Sequence, residues 1–324
     1  MKPATTPVPA FWRRTPPALF PGMLGLFGLG LAWQKAAQVT GLPSGIGDAI
    51  VGGASVLYLS ALAPFIAKIL ARPAVLLEDL RVLPARAGVA AASMCLMVMA
   101  AGVLRSWPGF AGWLWSIGLL LHALFFVAVL GALVRGPAEQ RVFSPVLHLP
   151  FVGFIVAPLA GVGLGDIALS AIIYWLSLFF ALVIFAGSTI RSLRRPDPAP
   201  LRPALAIHLS PVALLGLSAE LLDHRSMFVF MVYLSVAVVL FLLLRLPWII
   251  EAGWSPLWGS FTFPLAAFAS LMCNAYGAGI GLWTGILAMA SLALASIVNP
   301  YIAIRTYRSW LRGGLAAATN AATA

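Results

Sequence analysis

Ten runs of apolar residues follow one another along the chain, and the polar and charged residues collect in the gaps between them. The approximate limits are 16–34, 46–70, 87–104, 111–134, 145–162, 167–190, 203–222, 226–248, 257–276 and 281–304. A helix needs roughly 20 residues, at about 1.5 Å each, to cross a hydrocarbon core of about 30 Å. The pattern predicts an all-α integral membrane protein with ten transmembrane helices.

The gaps set orientation and pairing. With ten spans, 17 of the 20 Lys and Arg fall on one side, from Lys2, Arg13 and Arg14 through Arg312, and only Lys35, Arg105 and Arg225 on the other. Basic loops stay in the cytoplasm, so both termini are expected there. Residues 1–15 read as a cytoplasmic tail, 16–305 as the ten-helix membrane domain and 306–324 as a second cytoplasmic tail. The outer connections Gly163–Asp166, Asp223–Arg225 and Gly277–Gly281 are short, whereas the inner ones, such as Arg72–Arg86 and Arg191–Arg202, are longer. Five helical hairpins closed on the outside follow, which suggests an internal repeat. A trace survives in Ala63-Pro64-Phe65 of the second segment and Asn299-Pro300-Tyr301 of the tenth.

Composition excludes a water-soluble fold. Of 324 residues, 62% are hydrophobic and 9% charged, with a mean hydropathy of +1.01; soluble domains carry about 25% charged residues. Met1–Trp12 lacks an apolar core with a cleavage site, so the first segment is expected to remain in the mature protein. Cys95 and Cys273 lie in apolar runs and cannot form a disulfide framework or a four-ligand zinc site. The net charge of +11 is scattered between spans rather than gathered in a basic run, which argues against nucleic acid as a partner. The partners expected are the lipid bilayer, in the inner (plasma) membrane, and small anions. No cofactor, metal or catalytic set is expected: there is no HExxH, no P-loop and no nucleophile–base pair.

Prolines give the candidate path. Pro21, Pro150, Pro211 and Pro264 fall in odd-numbered segments, each several residues in from the basic side. A helix-interior proline removes one backbone hydrogen bond, and in lipid the freed carbonyl must meet a neighbouring helix or a wet cavity. The third segment has no proline; Ser93, Met94 and Cys95 occupy its equivalent depth. Four kinked helices and one smooth one are expected to surround a shared pore. No Asp, Glu, Lys or Arg falls at a span centre, which disfavours a charge relay or a cation filter. A neutral pore with a basic mouth suits an anion. His148 and His208 sit near the same end of adjacent odd segments; hydrogen bonding across helices is the ordinary role for each, and weak anion attraction the alternative. Phe263 directly precedes a kink, where a bulky ring can plug a pore, although most of the 19 Phe must simply pack or face lipid.

Leu19-Phe20-Pro21-Gly22, Gly25-Leu26 and Leu31-Ala32-Trp33 resemble the first helix of the tellurite-resistance/dicarboxylate transporter (TDT) family, which includes bacterial TehA-like proteins and plant slow-type anion channels. Pro203 to Pro211 resembles its seventh helix and Phe261-Thr262-Phe263-Pro264 its ninth. The resemblance implies odd helices around a central pore, even helices outside, and a homotrimer with one pore per subunit. It also implies a ninth-helix phenylalanine closing each pore, here Phe263, with Phe261 second. Ser210-Pro211 stands where relatives often have a double proline. Phe20, Ser93, His148, His208 and Ser210 complete the candidate pore lining. The expected function is passive anion conduction, the alternative a proton-linked carrier for dicarboxylate, sulfite or tellurite oxyanions.

Overall fold

The computed structural model describes residues 10–136 and 141–324, so the first nine residues of the predicted N-terminal tail, Lys2 among them, and residues 137–140 lie outside the account. Every regular element among the described residues is helical. The main elements are α1 (Phe20–Thr40), α2 (Gly45–Ala71), α3 (Leu83–Val103), α4 (Pro108–Arg135) and α5 (Pro145–Gly161). They are followed by α6 (Ile167–Arg194), α7 (Ala199–Leu221), α8 (Arg225–Ile249), α9 (Pro256–Gly277) and α10 (Leu282–Leu311). A short helix, Ala74–Arg81, joins α2 to α3, and another, Leu315–Ala318, follows α10.

Eight of these helices are long and apolar enough to cross a membrane; α1 and α5 are not among them. In α1, glycines and the polar Gln34–Lys35 pair dilute the hydropathy. α5 is not one helix but four short pieces: Pro145–Leu147, His148–Val152, Gly153–Val156 and Pro158–Gly161.

Packing sorts the elements by parity. α1 lies against α3 and α9, α3 against α5, α5 against α7, and α7 against α9, so the odd helices close a ring. Each even helix backs onto the odd helix before it. The central stretches of α3, α7 and α9 are 67–83% buried, those of the even helices only 17–33%. Leu70, Leu193, Leu244 and Leu282 of the outer layer are almost fully exposed. An apolar surface of that extent is stable only when hydrocarbon covers it. Close packing of α1 on α2 depends on glycine: a Cβ on Gly47 would stand 2.8 Å from the Gly30 carbonyl oxygen.

The prolines act differently from the kinks read in the sequence. Pro21 stands in the first turn of α1, after a 3-10 turn at Pro17–Leu19. Pro211 is in the first turn of the α-helical part of α7, Leu209–Leu221, after a ten-residue 3-10 stretch, Ala199–His208. A first-turn N–H has no partner within its helix, so proline there removes nothing. These two mark where a narrow 3-10 lead-in widens into α-helix, and of the four only Pro264 interrupts an established α-helical run, Gly259–Gly277. Nor is proline confined to odd helices: Pro64, Pro247 and Pro300 lie inside α2, α8 and α10.

Candidate functional site

The ring encloses a cavity of about 60 Å³. A water occupies roughly 10–15 Å³ on this measure, so a few water-sized species fit. Its wall comes from all five odd helices or the turns that lead into them, and from no even helix. α1 supplies Pro21 and Leu24, α3 Pro84 and Met94, α5 His148 and Val152, α7 Ser210 and Pro211, and α9 Ser260, Phe263 and Pro264. The wall holds no Asp, Glu, Lys or Arg; its polar side chains are His148, Ser210 and Ser260.

Phe263 is buried, and its ring lies against Gly28 of α1. Two side chains fix the helices on either side of it. Thr262 Oγ1 is 2.8 Å from the Gly259 carbonyl and 3.1 Å from that of Pro21, which ties α9 to the start of α1. Asn299 of α10, fully buried, donates from Nδ2 to the carbonyls of Gly25 (2.9 Å) and Thr262 (3.0 Å). The sequence reading did not single out Asn299 as a site residue, although a lone amide beside a proline within an apolar run was its signal.

Several residues expected in the lining lie elsewhere. Phe20 faces α2, edge-on to Phe65 at 5.3 Å and Tyr58 at 5.9 Å. Ser93 turns to α4: Oγ donates to the Ala90 carbonyl one turn back in α3 and bonds His122 Nδ1 of α4, each at 2.9 Å. Met94 takes its place in the wall, since one step along an α-helix rotates the side chain by about 100°. Phe261 packs on Trp258 at 5.8 Å, outside the wall. Pro150 is buried in α5 and does not reach the cavity. His208 stands behind His148 rather than beside it: His148 Nε2 and His208 Nδ1 are 3.0 Å apart, and Ser188 Oγ of α6 lies 3.3 Å from His208 Nε2.

The four side-chain ion pairs among the described residues gather at one end of the bundle. Lys68 and Asp79 form a fully buried ion pair at 2.9 Å, and Lys68 also donates to the Thr15 carbonyl at 3.1 Å. Burial pushes the Asp79 carboxyl up, against the pull of the Lys68 ammonium. Arg72–Glu78 and Arg191–Asp197 pair at 2.7 Å each, and Arg202 pairs with Glu251. Arg86, also fully buried, donates from Nε to the Leu80 carbonyl at 2.9 Å. The backbone around Lys68, Asp79 and Arg86 is thus stitched together close in sequence to Pro84 and Ala87 of the cavity wall.

An all-helical bundle with a lipid-suited exterior and a small central cavity is the architecture of a multi-pass membrane channel or transporter. The chain belongs to the voltage-dependent anion channel family SLAC1, whose model matches residues 14–307. It is therefore a membrane protein of a family of anion channels and transporters rather than of enzymes. No curated protein matches the chain.

Proposed function

We propose that this protein is a passive channel or facilitator for small anions, TehA-like in type, with a pore running between the five inner helices and closed by Phe263. On this reading all ten helices cross the inner membrane as five hairpins. The basic end faces the cytoplasm with both termini, and three copies assemble with one pore each. The observation that carries the reading is the composition of the cavity wall: all five odd helices and no even one, no charged side chain, and one phenyl ring, Phe263, which lies against Gly28 of α1. A neutral, narrow wall below a basic mouth admits an anion without trapping it. An apolar ring in a passage this small keeps it dry until the ring turns aside.

The test is conductance in planar bilayers with purified parent, Phe263→Ala and Phe261→Ala proteins. Phe263→Ala is expected to raise anion conductance well above the parent, and Phe261→Ala to leave it unchanged. If Phe263→Ala assembles normally and conducts no better than the parent, the gate assignment fails. Reversal potentials in chloride, nitrate, sulfite and malate then rank the anions, and chemical cross-linking in detergent counts the subunits.

A further inference from the structure

The three side chains behind the cavity wall form a chain whose proton positions are set by geometry. Ser188 Oγ is 2.6 Å from the Ile184 carbonyl, 3.2 Å from that of Phe185 and 3.3 Å from His208 Nε2. A hydroxyl has one hydrogen, and the shortest contact, the bond back to Ile184, takes it. The oxygen then accepts from His208 Nε2–H. A neutral imidazole with hydrogen on Nε2 has a bare Nδ1. That nitrogen lies 3.0 Å from His148 Nε2, which must therefore donate. The same rule strips His148 Nδ1 of its hydrogen. This last atom has no hydrogen-bond partner, His148 is 3% exposed, and it is the one histidine in the cavity wall.

We propose that His148 Nδ1 is the anion-binding group of the cavity and that a small monovalent anion occupies it together with a proton. The proposal rests on the reading of the cavity as an anion path. In the neutral chain Nδ1 is a bare lone pair, which repels an anion. A proton on Nδ1 converts the same atom into a donor carrying positive charge, and the hydroxyls of Ser210 and Ser260 in the same wall supply further donors. Proton and anion together are neutral, which removes most of the cost of placing either alone in an apolar wall. One positive charge in a space of about 60 Å³ favours chloride- or nitrate-sized ions over dicarboxylates.

The other titratable and charged groups of the elements packed on α5 stand outside the cavity wall. α3 carries Arg86, whose Nε is bonded to Leu80 while its two Nη atoms have no partner among the described residues, and α4 carries His122, bonded through Nδ1 to Ser93 and with Nε2 unpartnered. α6 carries Arg191, paired with Asp197; α7 carries Arg202, paired with Glu251, and Glu220 at its opposite end. Among the described residues, His208 is the titratable group bonded to His148.

The test uses the purified full-length protein with chloride as probe, in weakly buffered solution between about pH 4.5 and 7.5, spanning the histidine range. Chloride binding is expected to take up close to one proton per ion, and chloride affinity to rise by up to tenfold for each unit fall in pH, as reciprocal linkage requires. His148→Gln should abolish both the uptake and the pH dependence. Ser188→Ala keeps His148 but removes the acceptor that orders the chain, and should make the dependence shallower; it decides the matter if His148→Gln does not fold. Three outcomes overturn the proposal: no chloride binding by the parent at any pH, binding without proton uptake, or an unaltered pH dependence in both variants. None of these readouts needs an open pore. Phe263→Ala channels that stay closed while chloride still draws in protons would therefore overturn the gate and leave this site standing.

Discussion

The ring of Phe263 fills the space that a side chain at Gly28 would need: a Cβ there would stand 2.9 Å from Cδ2, 3.1 Å from Cε2 and 3.2 Å from the Ala266 methyl. The glycine and the ring are a fitted pair across the α1–α9 contact. Gly28→Ala is expected to destabilise the protein by about 1–3 kcal/mol through overpacking. The same substitution in the Phe263→Ala background should cost far less, because the obstructing ring is gone. Thermal unfolding of the four proteins in detergent measures the coupling. Additive effects would place the strain somewhere other than this contact.

Asn299 holds the backbone on both sides of that pair through Gly25 and Thr262. Asn299→Leu removes both bonds while keeping similar bulk. Interhelical hydrogen bonds in membranes contribute about 0.6–2 kcal/mol, so a modest loss of stability is expected. With α9 less firmly tied to α1, the basal anion leak should rise. A variant as stable as the parent and no leakier would show that packing alone positions Phe263.

Phe20 and Phe263 separate packing from gating. Phe20 is fully buried between α1 and α2, and Phe20→Ala should cost about 3–5 kcal/mol as a large-to-small core change. It should leave conductance per folded protein near that of the parent, whereas Phe263→Ala should raise it. Single-channel recording paired with an unfolding curve distinguishes the two.

The Lys68–Asp79 pair joins α2, the Ala74–Arg81 helix and both termini, because Asp79 Oδ1 also accepts from the Ala322 amide at 2.8 Å. Lys68→Met leaves a buried carboxylate without its cation and is expected to cost about 3–5 kcal/mol. Lys68→Met with Asp79→Leu should recover much of that loss, since no charge then stays buried. The double variant still lacks the bond to Ala322, so residues 315–324 should become more sensitive to limited proteolysis even where the bundle is stable. Equal protease resistance in the double variant and the parent would show that the Arg72 bond to the Thr323 carbonyl, at 2.6 Å, suffices to hold the tail.

The one-dimensional pattern determined the membrane setting, the helical class and the alternation of inner and outer helices. The first two follow from run length and loop charge, local properties of the chain, because a bilayer leaves the backbone few ways to bond itself, and the third from the parity of four prolines and the family resemblance. Of the residues singled out in the sequence, Pro21, Pro211, Pro264, Phe263, His148 and Ser210 stand in one cavity wall. What it left undetermined was rotation and partnership. Ser93 and Met94 differ by one residue and point to different helices, a choice made by the packing of α3 on α4 and α5. Phe20 lies beside Pro21 in sequence yet faces the lipid-side layer. Only the folded chain set Pro21 and Pro211 at the ends of 3-10 stretches, since hydropathy does not register the pitch of a helix. Only it placed His208 behind His148 and Asn299 across from Thr262, contacts that join residues 60 and 37 positions apart and depend on how separate helices meet.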